Sequence, residues 1–166
     1  MTTSLPDAEQ LCAELSKQLK PHVNENTAVV GIHTGGSWLA ERLHYDLKIK
    51  TPPGVLDISF YRDDFGRIGL HPQVKPSKIP FEVENREIIL IDDVLYTGRT
   101  IRAAMNELFD YGRPANIMLA VLIDRGGREL PIAPRFVAAN LSLAVGQNIQ
   151  LGRDAKGKFS LSLHKT

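Results

Sequence analysis

The sequence predicts an α/β fold, a mostly parallel twisted sheet flanked by helices on both faces. Three observations carry this. Thr27 to His33, Ile88-Ile-Leu-Ile91 and Ile117 to Ile123 are short, largely apolar runs, the pattern of strands buried on both faces. Segments with helical spacing alternate with them. The runs lead into Thr34-Gly-Gly36, Asp92-Asp93 and Asp124-Arg-Gly-Gly127, polar or glycine-rich turns at one edge of the expected sheet.

Taken in order, Pro6 to Lys20 places Leu11, Leu15 and Leu19 every four residues, with Asp7 and Glu9 at its start and Lys17 and Lys20 at its end, an amphipathic helix. After the first strand Ser37 is expected to cap a helix through about Leu47. Pro52, Pro53 and Gly54 turn the chain into a second strand, Val55 to Tyr61, where apolar and polar residues alternate. Arg62 to Pro80 holds Gly66, Gly69, Pro72, Pro76 and Pro80 without a sustained period, so it is expected to be a long loop or edge hairpin. The run Ile88 to Ile91 should end at Asp92-Asp93, and helical spacing resumes from Thr100 through Ile101, Met105, Leu108 and Phe109 until Gly112 stops it. Beyond the strand at Ile117 to Ile123, the tail from Phe136 to Thr166 reads as short strands and turns. Residues 136 to 152 carry no charge, which suits a core or a subunit interface.

A chain of 166 residues suggests one domain, its core at about 20–145. Folding at this size buries roughly 68–70% of the unfolded surface, enough for a core without disulfides or structural metal. Cys12 is the only cysteine, and the N-terminus lacks a basic stretch followed by an apolar run, so an intracellular, cytoplasmic setting without membrane insertion is expected. A net charge of +1 gives no global field for nucleic acid.

The chemistry concentrates in Ile88 to Thr100. A buried strand delivers Asp92 and Asp93 to the carboxyl edge of the sheet, where open α/β folds bind ligands. Thr97-Gly98-Arg99-Thr100 then opens a helix, and free backbone N–H groups, hydroxyls and the positive helix end make a phosphate cradle. Two acids cannot face the same phosphate, so they belong one ligand diameter away, accepting hydroxyls or ordering hydrated Mg²⁺. A phosphate at one end and diol acceptors at the other describe a ribose 5-phosphate. An acid pair alone is as readily a solvated turn; the preceding apolar strand and the following Thr-Gly-Arg-Thr favour the site.

This string resembles the 5-phosphoribosyl 1-diphosphate (PRPP) loop of the type I phosphoribosyltransferases. With Gly31-Ile-His-Thr-Gly-Gly36, Phe60-Tyr-Arg-Asp-Asp64 and Asp124-Arg-Gly-Gly-Arg-Glu-Leu-Pro131, the order and spacing resemble the PyrR family, bifunctional pyrimidine operon regulators and uracil phosphoribosyltransferases. The resemblance spans about residues 27–131. It implies the type I fold with a small hood at about 124–135 and the C-terminal tail, a flexible loop at about 62–80, and a homodimer or higher homo-oligomer. It also implies PRPP and uracil as substrates, UMP as product, and Mg²⁺ held mainly through PRPP and water.

By the same resemblance, Asp92 and Asp93 hold the ribose hydroxyls, within a PRPP-binding stretch that continues through Val94, Leu95, Tyr96, Thr97, Gly98, Arg99 and Thr100. Thr34, Gly35 and Gly36 form the diphosphate loop, with an unusual peptide expected at Thr34-Gly35. Arg62 joins the two acids as a catalytic candidate, Lys75 or Lys78 brings charge to the leaving group, and Arg125 and Arg128 lie on the base side. Purine members often carry Asp where this chain has Tyr96, which favours a pyrimidine. The family's diphosphate loop usually reads Thr-Arg-Gly, so Gly35 removes a cation. Three functions fit the resemblance: a working uracil phosphoribosyltransferase, a nucleotide-sensing regulator binding operon leader RNA, and a catalytically silent regulator. The uncharged 136–152 and the acids Asp7, Glu9 and Glu14 argue for weak RNA contact, to which only the basic tail, Arg153, Lys156, Lys158 and Lys165, would add.

Overall fold

The computed structural model describes residues 4–58 and 77–166. Its elements are α1 (Ala8–Leu19), a 3-10 turn (Lys20–His22), β1 (Thr27–Ile32), α2 (Gly35–Asp46), β2 (Gly54–Leu56), β3 (Glu87–Leu95), α3 (Arg99–Tyr111), β4 (Asn116–Asp124), β5 (Phe136–Asn140), β6 (Gln147–Arg153) and β7 (Phe159–Lys165). The main sheet has the order β2-β1-β3-β4-β5 and every pair in it is parallel. β6 and β7 form a separate antiparallel pair.

The apolar runs are central strands because both faces are covered. Ile88, Ile89, Leu90 and Ile91 of β3 are all fully buried and divide by alternation between two clusters. One cluster joins Ile89 and Ile91 to Leu11, Leu15 and Leu19 of α1, to Leu39 and Leu43 of α2, and to Ile149, Leu151 and Phe159 of the β6–β7 pair. It therefore reaches beyond the 20–145 core assigned from sequence, at both ends. The other sets Ile88 and Leu90 against Ile101, Ala104 and Leu108 of α3. Of the uncharged 136–152 stretch, Phe136, Ile149 and Leu151 are buried in the core, while its middle, including Val145, is exposed. Removing one such leucine costs about 2–5 kcal/mol, since a packed interior only partly refills the space.

Several boundaries differ from the sequence reading, each for a reason outside the local pattern. β3 does not end at the acids: Asp92 pairs with Val121 and Val94 with Ile123 of β4, so partner pairing carries the strand to Leu95. Among the described residues the second strand is Gly54–Leu56, where the Asp57 N–H leaves the ladder for Ser77 Oγ at 3.0 Å; the end of the expected run Val55 to Tyr61, from residue 59 on, lies outside the described residues. α2 starts at Gly35, with Thr34 at its cap position; Ser37 lies inside the first turn, where its Oγ donates to Thr34 O at 2.6 Å. Of the long segment, Arg62 and Lys75 lie outside the described residues. Its described end makes an edge bridge, exchanging both backbone hydrogen bonds between Lys78 and Val55 at 2.8 Å. Among the described residues, no helix is long and apolar enough to cross a membrane.

Candidate active site

β1, β3 and β4 run parallel, so their carboxyl ends meet at one edge of the sheet. There the residues from Asp92 to Ile101, with Asn148 opposite, line a cleft of about 440 Å³. Every residue from Asp92 to Thr100 assigned to PRPP from the sequence is brought to it.

At one end stand the acids. Asp92 is buried, and its Oδ1 accepts the Asp93 N–H at 2.9 Å; Asp93 Oδ1 accepts the Val94 N–H at 2.9 Å. These short loops of hydrogen bonding fix both carboxylates on the strand. At the other end Gly98, with φ of +94°, makes the turn into α3. Side chains rarely adopt that backbone, so glycine suits the turn. Thr97 Oγ1 accepts the Arg99 N–H at 3.2 Å. The first intrahelical bond runs from Arg102 N–H to Gly98 O, so the N–H groups of Thr100 and Ile101 have no helical carbonyl.

What turns this loop toward the cleft is the segment after β4. Leu95 O accepts from Arg125 N–H at 3.0 Å, Tyr96 O from the Arg128 guanidinium at 2.7 Å, and Thr97 O from the N–H groups of Glu129 and Leu130 at 2.9 and 3.1 Å. Three successive carbonyls are thus satisfied on the far side. A loop whose acceptors are engaged away from a pocket presents donors to it, the polarity an anion needs.

The two arginines assigned to the base side from the sequence differ. Arg128 is committed to protein, since its other guanidinium nitrogen donates to Asp124 at 2.6 Å. Burial pushes the Asp124 carboxyl up, but the hydrogen bonds from Arg128 and Gly126 N–H outweigh it and hold the group below its usual value. The Arg125 guanidinium carbon lies over the Tyr96 ring, 4.0 Å from its centre, and the group donates to Gln147 O at 3.2 Å and Asn148 Oδ1 at 3.4 Å. Tyr96 is held from another side as well, because a Cβ on Gly127 would fall 2.4 Å from its ring.

The turn assigned to the diphosphate from the sequence adjoins the acidic end of the cleft through Gly35 and Gly36. A Cβ on Gly35 would come within 2.3 Å of Asp93 Oδ2, so the glycine that removes a cation also lets Asp93 approach the turn. The cis peptide is His33–Thr34, one bond before the Thr34-Gly35 position expected from sequence. Gly36 packs on backbone: its Cβ would lie 2.5 Å from Ile91 O. The donors facing the cleft's acidic end are hard carboxylate oxygens, which suit Mg²⁺ better than a softer metal. Among the described residues, no group of three or more His, Cys, Asp or Glu side chains could hold a metal by itself.

Sequence reasoning missed Asn148. Nothing local marks it: it lies in an uncharged stretch, and only the return of β6 beside β3 brings it to the cleft.

Against known proteins, the model of the phosphoribosyl transferase domain matches residues 2–155. The chain is 52% identical over 153 residues to the bifunctional protein PyrR of Nitrosococcus oceani, a match covering 91% of this chain and 86% of that protein. With the bifunctional protein PyrR of Pseudomonas fluorescens it shares 51% over 152 residues, 89% and 90% of the two chains. Among solved structures it resembles a hypoxanthine phosphoribosyltransferase from Staphylococcus aureus, with a TM-score of 0.61 at 22% identity over 81% of this chain and 73% of that one. A hypoxanthine-guanine enzyme from Leishmania tarentolae in complex with GMP gives 0.63 at 18%, covering 89% and 84%. These structural likenesses show the type I phosphoribosyltransferase fold.

Proposed function

Because the chain belongs to the PyrR family and carries the phosphoribosyl transferase domain, we propose that it is a glycosyltransferase converting uracil and PRPP to UMP and diphosphate. The observation that carries this reading is the cleft itself. One wall holds two carboxylates fixed on a strand, and the other holds a helix N-terminus whose preceding carbonyls are engaged elsewhere.

In this reading Asp92 and Asp93 accept the ribose 2- and 3-hydroxyls, and the amides and hydroxyls from Tyr96 to Thr100 hold the 5-phosphate. Thr34, Gly35 and Gly36 offer backbone N–H groups at the first turn of α2 to the departing diphosphate, while Arg62 and Lys75 or Lys78 supply charge to it. The ribose C1–O bond to diphosphate breaks, C1 passes through an oxocarbenium-like state, and the C1–N1 bond to uracil forms as the N1–H bond breaks and its proton passes to the released diphosphate or to water. No protein nucleophile is needed. Catalysis rests on holding C1, base and leaving group in line and on excluding water. Mg²⁺, when bound with PRPP and water beside Asp92 and Asp93, would neutralise diphosphate charge. Arg125 and Arg128 stand on the base side, Arg128 by bracing the loop through Tyr96 O.

The same proposal includes a cytoplasmic setting and a homodimer or higher assembly, supported by the exposed Phe109 and Tyr111 on α3. Operon leader RNA is the partner proposed for the regulatory half. With a net charge of +1 and an uncharged 136–152, that contact should be salt-sensitive and weak near physiological salt. Radiometric transfer of PRPP to uracil, run beside orotate and hypoxanthine, tests the enzyme; product with uracil alone is expected, and absence of product with all three overturns it. A leader-RNA gel shift across a salt series, with and without UMP, tests the regulator.

A further inference from the structure

We infer that Asn148 is a base-recognising residue, its side-chain amide donating to an exocyclic carbonyl oxygen of the pyrimidine. The inference rests on the uracil reading above and adds to it a residue from outside the motifs.

The amide's orientation is fixed by its neighbours. Asn148 Oδ1 accepts the Ile149 N–H at 3.0 Å and lies 3.4 Å from an Arg125 guanidinium nitrogen. Both partners are donors, so both require the oxygen, and Nδ2 must face the other way. Its hydrogens have no acceptor among the described residues. Arg125 is itself pinned, by stacking on Tyr96, by Gln147 O and by its own N–H on Leu95 O. The carboxamide is therefore held at the cleft wall by a rigid chain of contacts, with two unused donors.

Chemistry at C1 selects the ligand. Displacement at carbon places the entering and leaving groups on opposite faces, with the reacting atoms in line. The diphosphate turn touches the acidic end of the cleft through Gly35 and Asp93. With the ribose hydroxyls on the acids and the 5-phosphate at Thr97 to Thr100, the polar lining that remains is Tyr96 and Asn148, both in contact with Arg125, and it faces the base. Uracil presents carbonyl oxygens at positions 2 and 4. A fixed amide donor complements either, and would be left unpaired when no base is bound.

Asn148→Asp separates recognition from structure. The carboxylate keeps an acceptor for Ile149 N–H and Arg125 but removes both donors, so a merely structural role predicts no loss. The readout is equilibrium binding of UMP and of ribose 5-phosphate to the full chain; both ligands carry the same phosphate, so their affinity ratio cancels the added charge. The wild type is expected to bind UMP more tightly, and Asn148→Asp to reduce the ratio about tenfold, the equivalent of ~1.4 kcal/mol. Asn148→Ala should reduce it similarly, with ribose 5-phosphate affinity unchanged within about twofold. An unchanged ratio in Asn148→Asp, or an equal loss for both ligands, overturns the inference. Failure of the wild type to transfer uracil while the ratio still falls in the variant would sink the transferase reading and leave this one standing.

Discussion

α2 and α3 begin alike and end up with different tasks. Each follows one of two neighbouring parallel strands, β1 and β3, and each opens on glycine at the same edge of the sheet. In α2 the first turn is pressed on backbone: Cβ atoms on Gly31 and Gly36 would meet Gly36 O at 2.3 Å and Ile91 O at 2.5 Å. In α3 the glycine has φ of +94°, its nearest side-chain neighbour is Ile132 at 3.1 Å, and the turn lines the cleft. A glycine in the motif Gly-Gly-Ser thus serves close packing, while one in Thr-Gly-Arg-Thr serves backbone shape. The two helix starts are therefore held differently, α2 by backbone packed behind its glycines and α3 by a left-handed turn over the cleft, so a methyl group added at each should show up in different measurements.

The comparison breaks first if the open end is not a substrate site. Asp92→Asn combined with Asp93→Asn removes two charge-assisted hydrogen bonds of about 1.5–3 kcal/mol each, so kcat/KM for PRPP should fall by at least roughly a hundredfold. The urea midpoint should stay near the wild type. Steady-state kinetics on the folded variant decide this, and an unchanged kcat/KM removes the acids from the site.

Next in size is the closed end. Gly36→Ala forces a methyl group onto the Ile91 carbonyl, a backbone atom that cannot swing aside, and should cost about 3 kcal/mol of stability in urea unfolding. Gly98→Ala sharpens the contrast. Its left-handed backbone costs about 1–2 kcal/mol, but the main readout should be a raised KM for PRPP. Equal behaviour of the two alanine variants in stability and KM would erase the distinction between the helix ends.

The smallest effects lie in the ion pairs that anchor the two helices. On α2, Arg42 meets Glu9 at 2.6 Å, both about 30% exposed, and Glu9 also accepts the Phe159 N–H at 2.8 Å. On α3, Arg99 meets Glu129 at 3.1 Å with both more than half exposed. The Arg42 hydrogen bond, only partly opposed by burial, holds the Glu9 carboxyl below the usual carboxylate range. A lowered value stabilises the fold above the unfolded pKa, and that contribution disappears as pH falls through the folded one. Glu9→Gln should therefore cost about 1 kcal/mol near neutral pH, with the deficit closing below the ordinary carboxyl range, whereas Glu129→Gln should stay within about 0.5 kcal/mol throughout. Thermal melts across acidic and neutral pH measure both.

The sequence by itself determined the parallel sheet, because Ile88 to Ile91 and Ile117 to Ile123 have no polar face and must be covered twice. It also determined the acid pair and the Thr-Gly-Arg-Thr turn, since a strand and a helix start are local events legible from a few neighbouring residues. Tertiary structure decided the rest. Asp92 and Asp93 sit inside β3 and not after it because β4 pairs with them, and α2 starts early because Gly36 fits under Ile91 O. Arg128 braces the PRPP loop because Tyr96 O and Asp124 lie on either side of its guanidinium. Asn148 reaches the cleft only because burying Ile149 and Leu151 beside α1 and α2 draws the β6–β7 pair across the end of β3. Such placements depend on contacts between residues far apart along the chain, which no local spacing records.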